Sequence, residues 1–191
     1  MRVVKLGGSL LTHPFLPLWL NQLSELSKDQ RIIVVPGGGP FADEVRQIQE
    51  KYSITDSAAH HMAILAMSQF GILLTSLVEN CRPFFYPEDT LKSETGLFVW
   101  LPSHQIAEIE EIEHSWDVTS DTLALWLAQT LNADELNIIK SCNNLPDSLM
   151  TLSSEGIIDK AFNAQFNKQP IKLTMYSAEQ YTQFPQHGIQ I

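Results

Sequence analysis

Two short apolar runs, each ending in a cluster of glycines, constrain this chain most: RVVKLGG at 2–8 and RIIVVPGGG at 31–39. Both are rich in β-branched residues and show no polar alternation, so they read as strands covered on both faces. Each precedes a segment with helical spacing. After the first, Leu16, Trp19, Leu20, Leu23 and Leu26 recur at helical intervals. After the second, Pro40 suits a first helical turn, where its missing N–H costs nothing. That helix is expected to reach about Tyr52. A strand, a glycine loop and a helix, met twice in succession, point to parallel strands joined by helical crossovers.

The alternation continues along the chain. Asp56 or Ser57 is expected to cap a long helix over 58–79. FFYP (84–87) and GLFVWLP (96–102) read as strands, and QIAEIEEIE (105–113) as a short helix carrying Ile106, Ile109 and Ile112. TLALWLAQTL is helical, with Thr119 or Ser120 as its cap and Asp121 in its first turn. ELNIIKS (135–141) and IKLTMYS (171–177) are strands, the second expected to be the last. Between them loop chemistry comes first, then a helix from about Asp159. There is no repeat and no clear linker. The reading is one α/β domain, 1–191, with a mainly parallel sheet and helices on both faces.

The formal net charge of −10 argues against a nucleic-acid or anionic-membrane surface, though not against a small anionic ligand. The apolar stretch at 62–78 is short for a membrane span of ~20 residues and carries Ser68, Gln69, Thr75 and Ser76. It reads as a core helix. No secretory signal precedes the first strand, and Cys81 and Cys142 are the only cysteines. A reduced, cytoplasmic setting with free thiols is the expectation.

In an open parallel sheet, ligands sit beyond the carboxyl ends of the strands. Gly7, Gly8 and Ser9 lie at that edge, and so do Gly37, Gly38 and Gly39. Glycine amides with a helix N-terminus behind them form an anion site. Neither loop has the spacing of a P-loop or a dinucleotide fingerprint. Asp43 and Glu44 suit the dipole of the following helix. They would repel a phosphate, so both are expected on its outer face. Lysines are scarce, and three are well placed: Lys5 and Lys140 near strand ends, Lys160 at a loop-to-helix junction. Converging ammonium groups, held by an aspartate such as Asp121, are what phosphoryl transfer requires. His60 and His61 diverge by about 100° on a helix, which is poor geometry for a shared metal. One of them is a candidate for contact with an anionic substrate.

Taken together, these residues resemble the amino acid kinase family. The likeness rests on VKLGGSL at 4–10, VVPGGGPFADEVR at 34–46, VTSDTLALWLAQTLNADEL at 118–136 and GIIDKAF at 156–162, in the family's order. It implies a three-layer αβα sandwich, with an acceptor lobe over about 1–115 and a nucleotide lobe over about 116–191. It also implies a homo-oligomer. The implied reaction moves the γ-phosphate of ATP to a small phosphate or carboxylate acceptor, with Mg²⁺ carried on the ATP phosphates. By this likeness Lys5 contacts the transferring group, and Asp121 organises the lysines. Lys160 contacts the ATP phosphates. Gly7, Gly8 and Ser9, with Gly37, Gly38, Gly39 and Lys140, surround the phosphates.

TDSAAHHMAILAMSQFG at 55–71, with WDVTSD and GIIDKAF, resembles a compact subgroup. Its type phosphorylates (aminomethyl)furanmethyl phosphate in methanofuran biosynthesis, and bacterial relatives are associated with tetrahydromethanopterin-linked C1 metabolism. The likeness implies a phosphate monoester acceptor, met by Arg46, His60 or His61. A carboxylate such as glutamate or aspartate is the alternative acceptor. A non-catalytic ligand-binding or regulatory relative is the alternative from another class, because only about 50 residues follow Lys140. Asp159 stands where several relatives carry proline.

Overall fold

The computed structural model describes residues 1–90 and 95–191. Its centre is a seven-stranded sheet in the order β3-β4-β2-β1-β5-β6-β7. The strands are β1 (Arg2–Leu6), β2 (Arg31–Pro36), β3 (Arg82–Phe84), β4 (Gly96–Trp100), β5 (Glu135–Lys140), β6 (Leu173–Ser177) and β7 (Ile189–Gln190). All neighbours pair in parallel except β7, which runs antiparallel to β6. The helices are α1 (Leu16–Leu26), α2 (Gly39–Tyr52), α3 (Asp56–Leu77), α4 (Ser120–Thr130), α5 (Leu149–Ser154) and α6 (Phe162–Lys168).

The period of two along each strand separates the two faces. From β1, Val3 enters the core shared with α4 and α6, whereas Val4 and Leu6 enter the core shared with α1. Residues Leu136 and Ile138 of β5 also face the α4 side. Lys5 therefore shares a face with Val3, and Lys140 with Ile138. Helices cover both faces, the expected αβα arrangement. Because β1 pairs with β2 on one side and β5 on the other, the direction of winding reverses at β1. That switch point is where open parallel sheets leave room for ligands.

Several boundaries differ from expectation for local physical reasons. The strand expected at 84–87 is β3, Arg82–Phe84. It ends because the Phe85 amide turns to donate to the Asp89 carboxylate, 2.9 Å away. The helix expected at 105–113 is a 3₁₀ turn, His104–Glu108, capped by Ser103. Of the three isoleucines only Ile106 lies in it; Ile109 is already extended at its C-cap. Thr55, not Asp56 or Ser57, caps α3 by accepting from the Ala58 amide. Helix α5 and strand β7 fall outside the expectations, being too short to show a period. Helix α6 starts at Phe162, three residues beyond Asp159.

Helix α3 has the length and hydropathy of a membrane span. In this fold it packs on α2, β2 and β4, and Ile64, Met67, Phe70 and Leu74 are buried there.

The glycine loops touch each other. A Cβ placed on Gly8 would lie 2.2 Å from the Gly39 nitrogen, and one on Gly37 would lie 2.3 Å from the Gly8 nitrogen. Gly39 also has a φ of +54°, which side chains rarely adopt. The neighbouring atoms are backbone and cannot rotate away. We expect Gly8→Ala to lower the free energy of unfolding by about 1–3 kcal/mol, the usual cost of overpacking. Urea unfolding will check it, and an unchanged midpoint would show that the loops separate freely.

Candidate active site

Beyond the carboxyl ends of β1 and β2 lies a cavity of about 410 Å³. Gly8, Ser9, Gly38 and Gly39 form one side of it, and the first turns of α2 contribute Pro40, Ala42, Asp43 and Arg46. Helix α3 adds His60, Ile64 and Met67, and the segment leading into α4 adds Trp116, Thr119 and Ser120. A mixed lining of this size suits a small organic anion.

Next to this cavity the two strand lysines meet one carboxylate. Lys5 Nζ lies 2.7 Å from Asp121 Oδ1, and Lys140 Nζ lies 2.6 Å from Asp121 Oδ2. The Lys140 contact is a hydrogen bond; the Lys5 contact is an ion pair without hydrogen-bond geometry at Oδ1. The pairing follows from topology. Lys5 and Lys140 point to the same face of adjacent strands, where α4 lays its first turn across them. Lys5 and Asp121 are each 3% exposed. Burial alone would push the Asp121 carboxyl up, but Lys140 and Lys5 outweigh it and hold it at about 2. Burial pushes the Lys5 ammonium below its ordinary value, with Asp121 opposing and Lys140 reinforcing the shift. Asp121 also gains from the positive end of the α4 dipole.

The expected site residues divide into those brought together and those held apart. Lys5, Asp121 and Lys140 converge. Gly8, Ser9, Gly38 and Gly39 line the cavity. The amides of Gly7 and Gly37 are spent within the sheet, donating to the carbonyls of Ile139 and Leu6. Lys160 does not join Asp121: its side chain is 78% exposed and pairs with Asp117 at 3.1 Å. The preceding residue, Asp159, turns inward, and this leaves Lys160 outside. Lys140 takes the second position on Asp121.

Arg46 and His60 line the cavity. His61 instead bonds the Ser57 carbonyl through Nδ1, at 2.9 Å. Arg46 lies over the Trp116 ring, 4.1 Å from its centre, and Trp116 donates its indole N–H to Gln49. His60 stacks on His114 with ring centres 4.8 Å apart. Burial, then His114 and His61, lower the His60 pKa to about 4, so the ring is neutral near pH 7. Among the described residues its Nε2 is buried without a partner. The expectation for Asp43 is overturned. Asp43 lines the cavity, one helical turn before Arg46, and that arginine pairs with it at 3.2 Å. Glu44 stays exposed.

Sequence reasoning gave no role to His114 or Trp116. Both lie in SWDVTSD or just before it, and their partners on α2 and α3 are distant in sequence. Ser141 also went unmarked; its hydroxyl lies 2.8 Å from that of Ser9, linking the first glycine loop to the end of β5.

The pH dependence of stability follows from Asp121. Its folded value of about 2 lies below the ordinary carboxyl value of 3.8. Its contribution is complete above the ordinary value and is lost as pH falls through the folded one. Asp159, whose carboxyl is raised, has the opposite sign. We expect the wild type to lose stability on acidification through this window, and Asp121→Asn to lack that part of the loss. Near pH 7 the variant should be weaker by about 3–5 kcal/mol, since two buried ammonium groups lose their anion. Chemical unfolding at a series of pH values tests both; parallel profiles would refute the assignment.

Comparison with known proteins places these features in context. Residues 1–82 match the model of the amino acid kinase family. The chain is 32% identical over 151 residues to (5-(aminomethyl)furan-3-yl)methyl phosphate kinase of Methanocaldococcus jannaschii, covering 77% of this chain and 68% of that one. It is 23% identical over 186 residues to uridylate kinase of Thermococcus sibiricus, covering 86% and 78%. Among solved structures, uridylate kinase from Archaeoglobus fulgidus superimposes with a TM-score of 0.66 at 18% identity, over 92% of this chain and 90% of that one. UMP kinase from Ureaplasma parvum does so with a TM-score of 0.65 at 13% identity, over 93% and 89%. These two structures share the fold.

Proposed function

We propose that this chain, which belongs to the amino acid kinase family and is a phosphotransferase of that family, transfers the γ-phosphate of ATP to a small phosphate monoester. The observation that carries the reading is the buried Lys5–Asp121–Lys140 arrangement beside a cavity lined by both glycine loops. Phosphoryl transfer asks mainly for positioned positive charge, and this arrangement supplies it. Asp121 directs both ammonium groups through its two carboxylate oxygens. Lys140, the more accessible of the two, is suited to phosphate oxygens. Lys160, on the exposed loop before α6, is suited to the outer phosphates of ATP. In this reading residues up to about 115 receive the acceptor, and those from about 116 onward receive the nucleotide.

Magnesium enters this scheme with ATP. Asp121 is engaged by two lysines, and the cation is expected on the phosphates themselves.

For the acceptor, Arg46 is the charged contact and the neutral His60 a hydrogen-bonding one. Similarity to the Methanocaldococcus jannaschii enzyme favours an aminomethylfuran phosphate, and with it a cytoplasmic C1 pathway. A carboxylate acceptor is the alternative. A screen of phosphate and carboxylate acceptors with labelled ATP and Mg²⁺ tests the reading, and turnover with carboxylates alone would overturn it. With the acceptor found, Lys5→Ala should lower kcat by about two orders of magnitude or more. Arg46→Ala should raise the acceptor KM about tenfold, the cost of a lost charged contact. Near-wild-type values in either variant would refute that residue's role. A non-catalytic, binding-only relative is the alternative from another class. Calorimetry with an ATP analogue and Mg²⁺ separates the two, since no binding at millimolar nucleotide would leave only that alternative.

The homo-oligomer also has a candidate surface. Helix α3 exposes Leu65 (51%) and Ile72 (58%), along with Leu73 and Leu77. No charged residue lies between Asp56 and Glu79. A second copy can cover this face without burying an ion, as a twofold contact requires. Leu65→Glu with Ile72→Glu should yield a monomer by light scattering; an unchanged assembly would place the contact elsewhere.

A further inference from the structure

Helix α4 begins without a side-chain cap of its own. Thr119 occupies the capping position, yet its hydroxyl makes no bond to the helix. The carboxylate of Asp159, from the loop before α6, takes over that role. Asp159 Oδ2 accepts hydrogen bonds from the backbone amides of Thr119 and Thr122, each at 2.9 Å. Its Oδ1 accepts from the Thr119 hydroxyl at 2.5 Å. Those two amides bracket Asp121 in sequence, so the cap holds the turn that presents Asp121 to the lysines. The loop is itself anchored on both sides of Asp159. Ile158 and Phe162 are buried in the core, and the Ala161 amide donates to the Asp117 carbonyl at 3.0 Å.

We propose that Asp159 is a positioning residue for phosphoryl transfer: it caps α4 across the fold and thereby sets where Asp121 holds Lys5 and Lys140. The consequence for catalysis rests on the kinase reading above; the geometry does not. Charge matters as well as shape. Asp159 acts on Lys5 in the same sense as Asp121, while burial and Asp121 push its own carboxyl up. The charged groups that act on Lys5 are Asp121 from α4, Lys140 from β5 and Asp159 from this loop.

The test compares Asp159→Asn with Asp159→Ala in the full chain. Asparagine keeps an oxygen for the two amides and removes the charge; alanine removes both. Hydrogen exchange at the Thr119 and Thr122 amides reports the cap. The side-chain NMR signals of Lys5 and Lys140 report the cluster without turnover. The asparagine variant should keep amide protection within about threefold and titrate Lys5 at lower pH, because a nearby anion is gone. The alanine variant should lose protection at least about tenfold and move both lysine signals. Its kcat should fall at least about tenfold with little change in the KM for ATP, as expected for misplaced catalytic groups. Lysine signals unchanged in both variants would overturn the proposal and leave Asp159 a purely stabilising cap. If alanine prevents folding, the Lys5 titration in the asparagine variant decides, and an unmoved titration overturns the proposal. If no acceptor is turned over, the kinase reading fails, while the lysine signals still judge the positioning role.

Discussion

An ammonium group inside a parallel sheet costs several kcal/mol unless an anion meets it there. Lys5 is such a group, in the central strand and almost without solvent contact. Much of the local architecture answers that one requirement. Helix α4 must cross the β1–β5 face with an aspartate in its first turn. Strand β5 must stand next to β1, so that Lys140 can take the second carboxylate oxygen. The start of α4 must then be held, and Asp159 holds it. A second buried carboxylate is met in a similar way: Glu135 lies at the opposite end of the sheet, where Arg2, Asn137, Thr174 and Lys172 satisfy it.

The second constraint is the contact between the glycine loops. Their glycines are required by each other as much as by any ligand. Where Gly8 meets Gly37 and Gly39, a single methyl group would collide with main-chain atoms. The close approach brings the ends of β1 and β2 together and forms one rim of the cavity. Loop-to-loop packing and the proposed phosphate contact therefore call for the same residue type at these positions, and composition cannot separate them.

Much of this was legible in the chain. The strands β1 and β2 announce themselves as β-branched runs, β4, β5 and β6 as short, largely apolar ones, and α1 to α4 as long periodic segments. Lys5 and Asp121 could be singled out because a lysine in an apolar strand and an acid at a helix start are each costly or purposeful. The pairing of Lys140 with Asp121 was not legible, since it depends on β5 lying beside β1. The exclusion of Lys160 from that group was hidden for the same reason: it follows from the inward turn of Asp159 toward a helix about forty positions earlier. Asp43 was expected to face outward on grounds of repulsion. Arg46, one turn later on the same helix, removes that repulsion and lets Asp43 line the cavity.

What the sequence determined by itself is therefore local: element types, the inward faces of the strands, and the residue types able to carry phosphoryl chemistry. Periodicity, β-branching and glycine content act over a few residues, and the chain states them directly. Tertiary structure decided which charges meet. Strand order placed Lys140, a carboxylate from a distant loop fixed the start of α4, and a neutral His60 stacked on His114 took its place beside Arg46 on the cavity wall. Coulombic and hydrogen-bonding partners act over a few ångströms of space whatever their separation in sequence, so only the folded chain could bring them together.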